Sequence, residues 1–341
     1  MAKINDIPDR VLASSLTTIE IPASSETDVT IVVDNKQCLK ENYVPTNGVV
    51  TLYDVDKLLL PYFSTKPFRQ KINVTVHSSA LAAPKAFFAF YATVAVPVDA
   101  VQFFTNYFLT TLVLGDKTTF PHSKEQLYIY AYGEAAPVTA DAVWVDSKGR
   151  RSTNRYSLGT IAAGSTGSVN TSPSRFASSG KRLVKVTVTA GGRSIIYNVS
   201  QSCSPEDDVQ FYFRNAFGVM EYFMLTGVRT VKPEFQRQSA YMGGVLHTYN
   251  VDEERIFEAS TGYIPESMHE LADDLARSPE VYVVQNGQNI PVTITDSKTD
   301  RSNDLAGMFS MSVKYRPSSR VQAHLTLPPE IFDDSFDDTF N

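Results

Sequence analysis

The chain has 341 residues, 43% hydrophobic and 20% charged, with a net charge of −6. That length supports two or three separately packed cores at roughly 100–200 residues each. The mild acidity, with no Lys/Arg run interleaved with aromatics, excludes the electrostatic footprint of a direct nucleic-acid binder.

No run reaches the ~18 uninterrupted apolar residues of a membrane helix. The most hydrophobic stretch, AFFAFYATVAVPVDAVQFF, is broken by Pro97, Asp99 and Gln102, so no membrane insertion is expected. The opening MAKINDIPDRVLASS carries early acids and no apolar secretory core, which reads as a protein retained in a cytoplasm. Cys38 and Cys203 lie far apart, outside any metal-type spacing, and free thiols are expected in such a compartment.

Period-2 runs rich in Val, Ile, Thr, Tyr and Phe recur along the chain and predict half-buried strands. In order they are 18–23, 29–34, 49–53, 71–77, 86–96, 126–132, 142–146, 182–190, 193–199, 209–213, 219–225, 281–285, 290–296 and 309–316. Gly191-Gly192 and Asn286-Gly287 supply hairpin turn chemistry, and no helical pattern alternates with the strands as a doubly wound sheet requires. The expected fold is mainly β: two or three antiparallel β-sandwich (Ig-like) modules with a few short helices.

Helices are expected at 54–63, 98–109 and, most clearly, 265–278, where Ser267 and Glu270 have capping-box spacing and Met268, Leu271 and Leu275 share a face. Composition shifts at 115–126 and 200–208 divide the chain into an N-terminal β module (1–119), a middle β-sandwich (120–205), a C-terminal α+β/β-sandwich module (206–328) and an acidic Phe-containing tail (329–341). The Ser/Gly-rich 162–182 reads as a long mobile loop within the middle module.

The usual chemical constellations are missing from this pattern. His77, His122, His247, His269 and His324 are scattered with no ligand-pair spacing, and the His269/Asp273 pair reads as a solvated helix face. Ser-Ser-Gly-Lys-Arg (178–182) puts Arg182 where a phosphate loop needs Ser or Thr, and Gly-Ser-Thr-Gly-Ser (164–168) lacks the spacing of a nucleophile elbow. No catalytic residue, metal or cofactor is expected, and the protein is read as a non-enzyme. Trp144 reads as a core residue.

The aromatic stretch FYFRNAFGVMEYF (211–223) reads as a hairpin, with Asn215 and Gly218 both suited to positive φ at the turn. Phe211 and Phe213 share one face, Val219, Glu221 and Phe223 another, and Arg214 is the expected charge partner of Glu221. The hairpin is therefore expected to be a structural lock.

That stretch, followed by TVKPEFQRQSAYM (230–242), EERIFEASTGYIP (253–265), LARSPEVYVV (275–284) and IPVTITDSK (290–298), resembles tail or collar (ring) structural proteins of tailed phages and prophages of gut Bacteroidetes, including crAss-like phages. NYFLTTLVLGDKTTFPHSKEQLYIYA (106–131) is similar to the preceding part of the same family, so the resemblance spans about 85–316. It implies a virion protein of a tail, head–tail connector or baseplate. Such a protein is assembled in the host cytoplasm as a ring of identical subunits that touches neighbouring virion tail or connector proteins. The alternative is a carbohydrate- or host-surface-binding β-sandwich module using surface tyrosines.

In the tail, Phe332, Phe336 and Phe340 recur every four residues between Asp333, Asp334, Asp337 and Asp338. Spacing by four puts the rings on one side of either a helix or a strand. The tail is expected to clip onto a neighbouring subunit, so that deleting 329–341 preserves the fold and weakens assembly.

Overall fold

The computed structural model describes residues 2–112, 114–201, 208–301 and 309–318. The fold is mainly β, of β-sandwich type, with several antiparallel sheets and three α-helices.

The N-terminal part contains β1 (Ala2–Lys3), β2 (Arg10–Leu12), β3 (Thr18–Pro22), β4 (Thr27–Val33), β5 (Lys36–Tyr43), β6 (Val49–Tyr53), α1 (Val55–Phe63), β7 (Lys71–Ser78) and β8 (Lys85–Phe90). A five-stranded sheet of order β2-β8-β7-β4-β5 and a three-stranded sheet β1-β3-β6 enclose one core. Strand alternation turns Val29, Ile31 and Val33 of β4 and Ile72, Val74 and Val76 of β7 inward. Val55, Leu59 and Phe63, four apart on α1, bury the inner stripe of that helix. The strand expected over 86–96 stops at Phe90, where the chain leaves the sheet and Thr93 N–H donates to Ala216 O at 3.0 Å.

Next come α2 (Ala100–Asn106), whose N-terminus is capped by Asp99 accepting from Gln102 N–H at 2.9 Å, and the middle strands. These are β9 (Asp116–Thr119), β10 (Gln126–Tyr130), β11 (Ala136–Asp146), β12 (Arg151–Ile161), β13 (Thr166–Asn170), β14 (Lys181–Ala190) and β15 (Arg193–Val199). They form a five-stranded sheet of order β12-β11-β14-β15-β9 and a two-stranded sheet β10-β13. Trp144 lies in the core and its indole N–H donates to Phe176 O at 2.9 Å. β9 belongs to this sheet although it precedes residue 120, and its pairing with β15 is parallel.

The 162–182 segment is not one long loop. β13 pairs with β10 over 166–170, and a 3-10 turn at Pro173–Phe176 buries Phe176. Of its glycines, Gly167 serves packing: a Cβ there would lie 2.4 Å from Ile161 Cδ1, whereas Gly164 and Gly180 have open space around them.

The C-terminal part contains β16 (Val209–Arg214), β17 (Met220–Leu225), β18 (Arg229–Met242), β19 (Val245–Ser260), α3 (His269–Arg277), β20 (Val281–Gln285), β21 (Gln288–Arg301) and β22 (Phe309–Pro317). One seven-stranded sheet runs β17-β16-β20-β21-β22-β19-β18. Asn286 and Gly287 both take positive φ between β20 and β21, as an Asn-Gly hairpin turn demands. Ser267 does not cap α3; its hydroxyl faces Asp116 Oδ1 at 3.5 Å, and a 3-10 turn at Glu266–Met268 leads into the helix instead. Met268, Leu271 and Leu275 are buried as their spacing predicts.

Buried apolar residues of the middle and C-terminal parts merge into a single cluster running from Phe108 to Tyr315. A smaller cluster around Leu12, Phe90, Phe103, Phe104, Tyr130 and Phe217 joins these parts to the N-terminal one.

Candidate functional site: a buried polar junction and a projecting arm

The 211–223 hairpin is β16, a turn and β17, paired in register with Phe213 opposite Glu221. Phe211, Phe213, Val219, Glu221 and Phe223 are all buried. Of the two turn residues expected at positive φ, only Gly218 adopts it, at +75°. Asn215 organises the turn with its side chain instead, its Oδ1 accepting from Phe217 N–H and Val219 N–H at 3.0 and 3.2 Å. A Cβ on Gly218 would lie 2.8 Å from Tyr91 Cδ1 and 2.9 Å from Phe68 Cε1. Glycine is required there because the turn presses directly onto the N-terminal part.

Arg214 does not pair with Glu221. Its guanidinium binds Glu280 at 2.5 Å and stacks 3.8 Å from the centroid of Phe68, so it fastens the hairpin to the N-terminal part and to the chain entering β20. Glu221 accepts from the Thr110 hydroxyl at 2.7 Å and from Asn215 Nδ2 at 2.8 Å. Both partners are uncharged, and burial pushes the Glu221 carboxyl above its ordinary range while Lys117 pulls it back.

Around Glu221 the molecule assembles further buried charge. Lys117 of β9 and Glu125, each 2% exposed at the side chain, pair at 2.7 Å. Lys117 Nζ also donates to Tyr222 O at 2.5 Å, and the Thr119 hydroxyl donates to Glu125 at 2.8 Å. Asp274 of α3 accepts from Ala216 N–H at 2.9 Å and from the Thr111 hydroxyl at 3.2 Å. Burial, reinforced by Glu221, raises the Asp274 carboxyl to about 7. Burial likewise raises Glu125, against the pull of Lys117. Three carboxyls thus share the neighbourhood of one ammonium, where the middle sheet, the hairpin and α3 meet. Their hydrogen bonds from Thr110, Thr111, Lys117, Thr119, Asn215 and Ala216 tie the middle part, the hairpin and α3 together.

The second feature is the ribbon β18–β19. Every residue from 228 to 252 is exposed, and β19 joins β22 only at Phe257–Ser260. The outer part is therefore a two-stranded arm that stands off the body and turns at Gly243-Gly244. Alternation places Val231, Phe235 and Tyr241 of β18 on one face with Leu246 and Val251 of β19. Tyr249 is the extra, unpaired residue of a bulge opposite Gln238 and Ser239. The opposite face carries Lys232, Glu234, Gln236, Gln238, Asn250, Asp252 and Glu254, with Met242 and Val245 paired beside the turn.

Two shallow depressions occur on the body. The larger, about 470 Å³, is lined by Thr118, Arg182, Asn198, Val199, Ser200 and Gln201. Among the described residues no group of three His, Cys, Asp or Glu side chains could hold a metal ion, and no helix is long and apolar enough to cross a membrane. Phe332, Phe336, Phe340, Asp333, Asp334, Asp337 and Asp338 lie outside the described residues, as does Cys203. No protein-family model matches the chain, and no curated protein matches it.

Proposed function

We propose that this protein is a non-enzymatic structural component of a tailed-phage particle, part of a tail, head–tail connector or baseplate, which works through contacts with identical subunits and neighbouring virion proteins. The observation that carries the reading is the arm, whose apolar face stands in solvent over its whole length. Monomeric soluble proteins rarely gather so many exposed large apolar side chains on one element, and such concentrations mark contact sites.

The test is the solution mass of the full-length protein by light scattering across a concentration series, alone and with candidate neighbouring virion proteins, with negative-stain images of large species. Rings, oligomers or stable co-complexes are expected. A protein that stays monomeric with every neighbour and binds on a glycan array would overturn the reading in favour of a carbohydrate-binding module.

A further inference from the structure

Eight of the fifteen large apolar side chains exposed among the described residues lie on the arm: Val231, Phe235, Tyr241, Met242, Val245, Leu246, Tyr249 and Val251. The others, such as Val44, Tyr53, Phe88 and Leu114, are spread singly over separate elements. Among the described residues, the largest concentration of exposed apolar side chains outside one arm is therefore on the arm of another copy. We infer that the arm is self-complementary and pairs, apolar face to apolar face, with the arm of a second copy of this chain.

The area suits that occupant. At ~150–250 Å² per aromatic side chain, two rings that are half and three-quarters exposed, with three aliphatics beside them, offer roughly 500 Å² per arm, the size of a small, reversible interface. The ribbon's edge is less suited to pairing than its face. β18 carries Arg229, Lys232, Pro233 and Arg237, and charge and proline discourage strand addition at an edge. A lipid surface is also a poorer match. The apolar face includes Arg237 and the Arg255–Glu253 pair at 2.5 Å, which acyl chains cannot satisfy and the aromatic rings of a facing arm can.

This inference rests on the reading of the protein as an assembly subunit, and the experiment separates the two. Sedimentation velocity across a concentration series compares the wild type with Phe235→Ser/Tyr241→Ser on the apolar face and Gln236→Ser/Asn250→Ser on the opposite face. All four positions are exposed, so the fold should survive, and an unchanged melting temperature checks this. The expected result is a self-association that the apolar-face pair weakens by roughly 100-fold or more, as loss of two central aromatics does, and that the opposite-face pair leaves intact. Amide exchange of 231–251 in the wild type, slowing as the protein is concentrated, gives the same answer without any variant.

Assembly that neither pair disturbs overturns arm pairing while leaving the assembly reading intact. A wild type that stays monomeric, with arm exchange independent of concentration, also overturns it. So does flotation with phosphatidylcholine–phosphatidylglycerol vesicles that the apolar-face pair abolishes.

Discussion

β16–β17 and β18–β19 are consecutive hairpins of one sheet, both rich in aromatics, yet their environments are opposite. In the first, Phe211, Phe213 and Phe223 are sealed in a core and even Glu221 is buried. In the second, Phe235, Tyr241 and Tyr249 stand in water. Strand propensity is common to both, so it does not decide burial. What differs is how many other elements reach the hairpin. The first is met by residues 109–111, β9, α3 and the N-terminal part, the second only by β22 at its root. A strand former becomes core where distant segments converge on it, and contact surface where none do.

The largest effect should come from removing the buried ammonium of the junction. Lys117→Met leaves Glu125 buried without its partner, and breaking a buried pair from one side costs about 3–5 kcal/mol. Urea denaturation checks this, and a loss under ~1 kcal/mol would contradict the junction's part in fastening the hairpin.

Proton linkage comes next. Asp274 ionises at 3.8 in the unfolded chain and at about 7 in the folded one, so between those values the folded state holds the extra proton. Its contribution is favourable in acid, fades as pH rises from about 4 to 7 and is constant above, a change on the order of 2–4 kcal/mol. Glu125 and Glu221 are shifted in the same direction. Asp274→Asn keeps an acceptor for Ala216 N–H and should flatten the fall in stability between about pH 4 and 7. An unaltered slope would show that the linkage lies elsewhere.

Glycine substitutions sharpen the contrast. Gly218→Ala combines positive φ with collisions against Phe68 and Tyr91 and should cost about 2–3 kcal/mol. Gly243→Ala, at φ +61° with open space around it, should cost only about 1 kcal/mol, the backbone penalty alone. Equal losses at the two turns would erase the distinction. The smallest effect belongs to Phe235→Ser, which should move monomer stability by less than ~0.5 kcal/mol because the ring is half exposed and meets only the Arg237 guanidinium at 5.8 Å among the cation–ring contacts.

Much of this fold is legible in the sequence, because alternation is a local signal. The runs around Val29, Val74, Val186 and Phe211 were read as strands for that reason, and α3 by its Met268–Leu271–Leu275 face. β12 escaped because RSTNRYSLGTI is an edge strand with few buried positions. β18 escaped because Pro233 and its charges interrupt the pattern that Val231 and Phe235 begin.

The junction was illegible for a different reason. Residues 115–126 look polar enough to be a boundary, yet Lys117, Thr119 and Glu125 are among the most buried polar groups. Glu221 was matched to Arg214 by proximity in the chain, whereas Thr110, more than a hundred positions away, supplies its hydroxyl. Long-range satisfaction of a buried charge leaves no local pattern. The Ser/Gly composition of 162–182 misled because small residues mark tight packing as readily as looseness.

The span of the junction also sets a schedule for synthesis. Thr111 and Asp274 are 163 positions apart, and at ~5–20 residues per second a ribosome needs on the order of 10–30 s to travel between them. During that interval Lys117 and Glu125 have been made while the hairpin and α3 that enclose them have not. The middle sheet must wait, part-wet at one edge, for the strands that will close it. The arm needs no such wait, because its two strands are neighbours across a single turn and can zip as soon as both emerge.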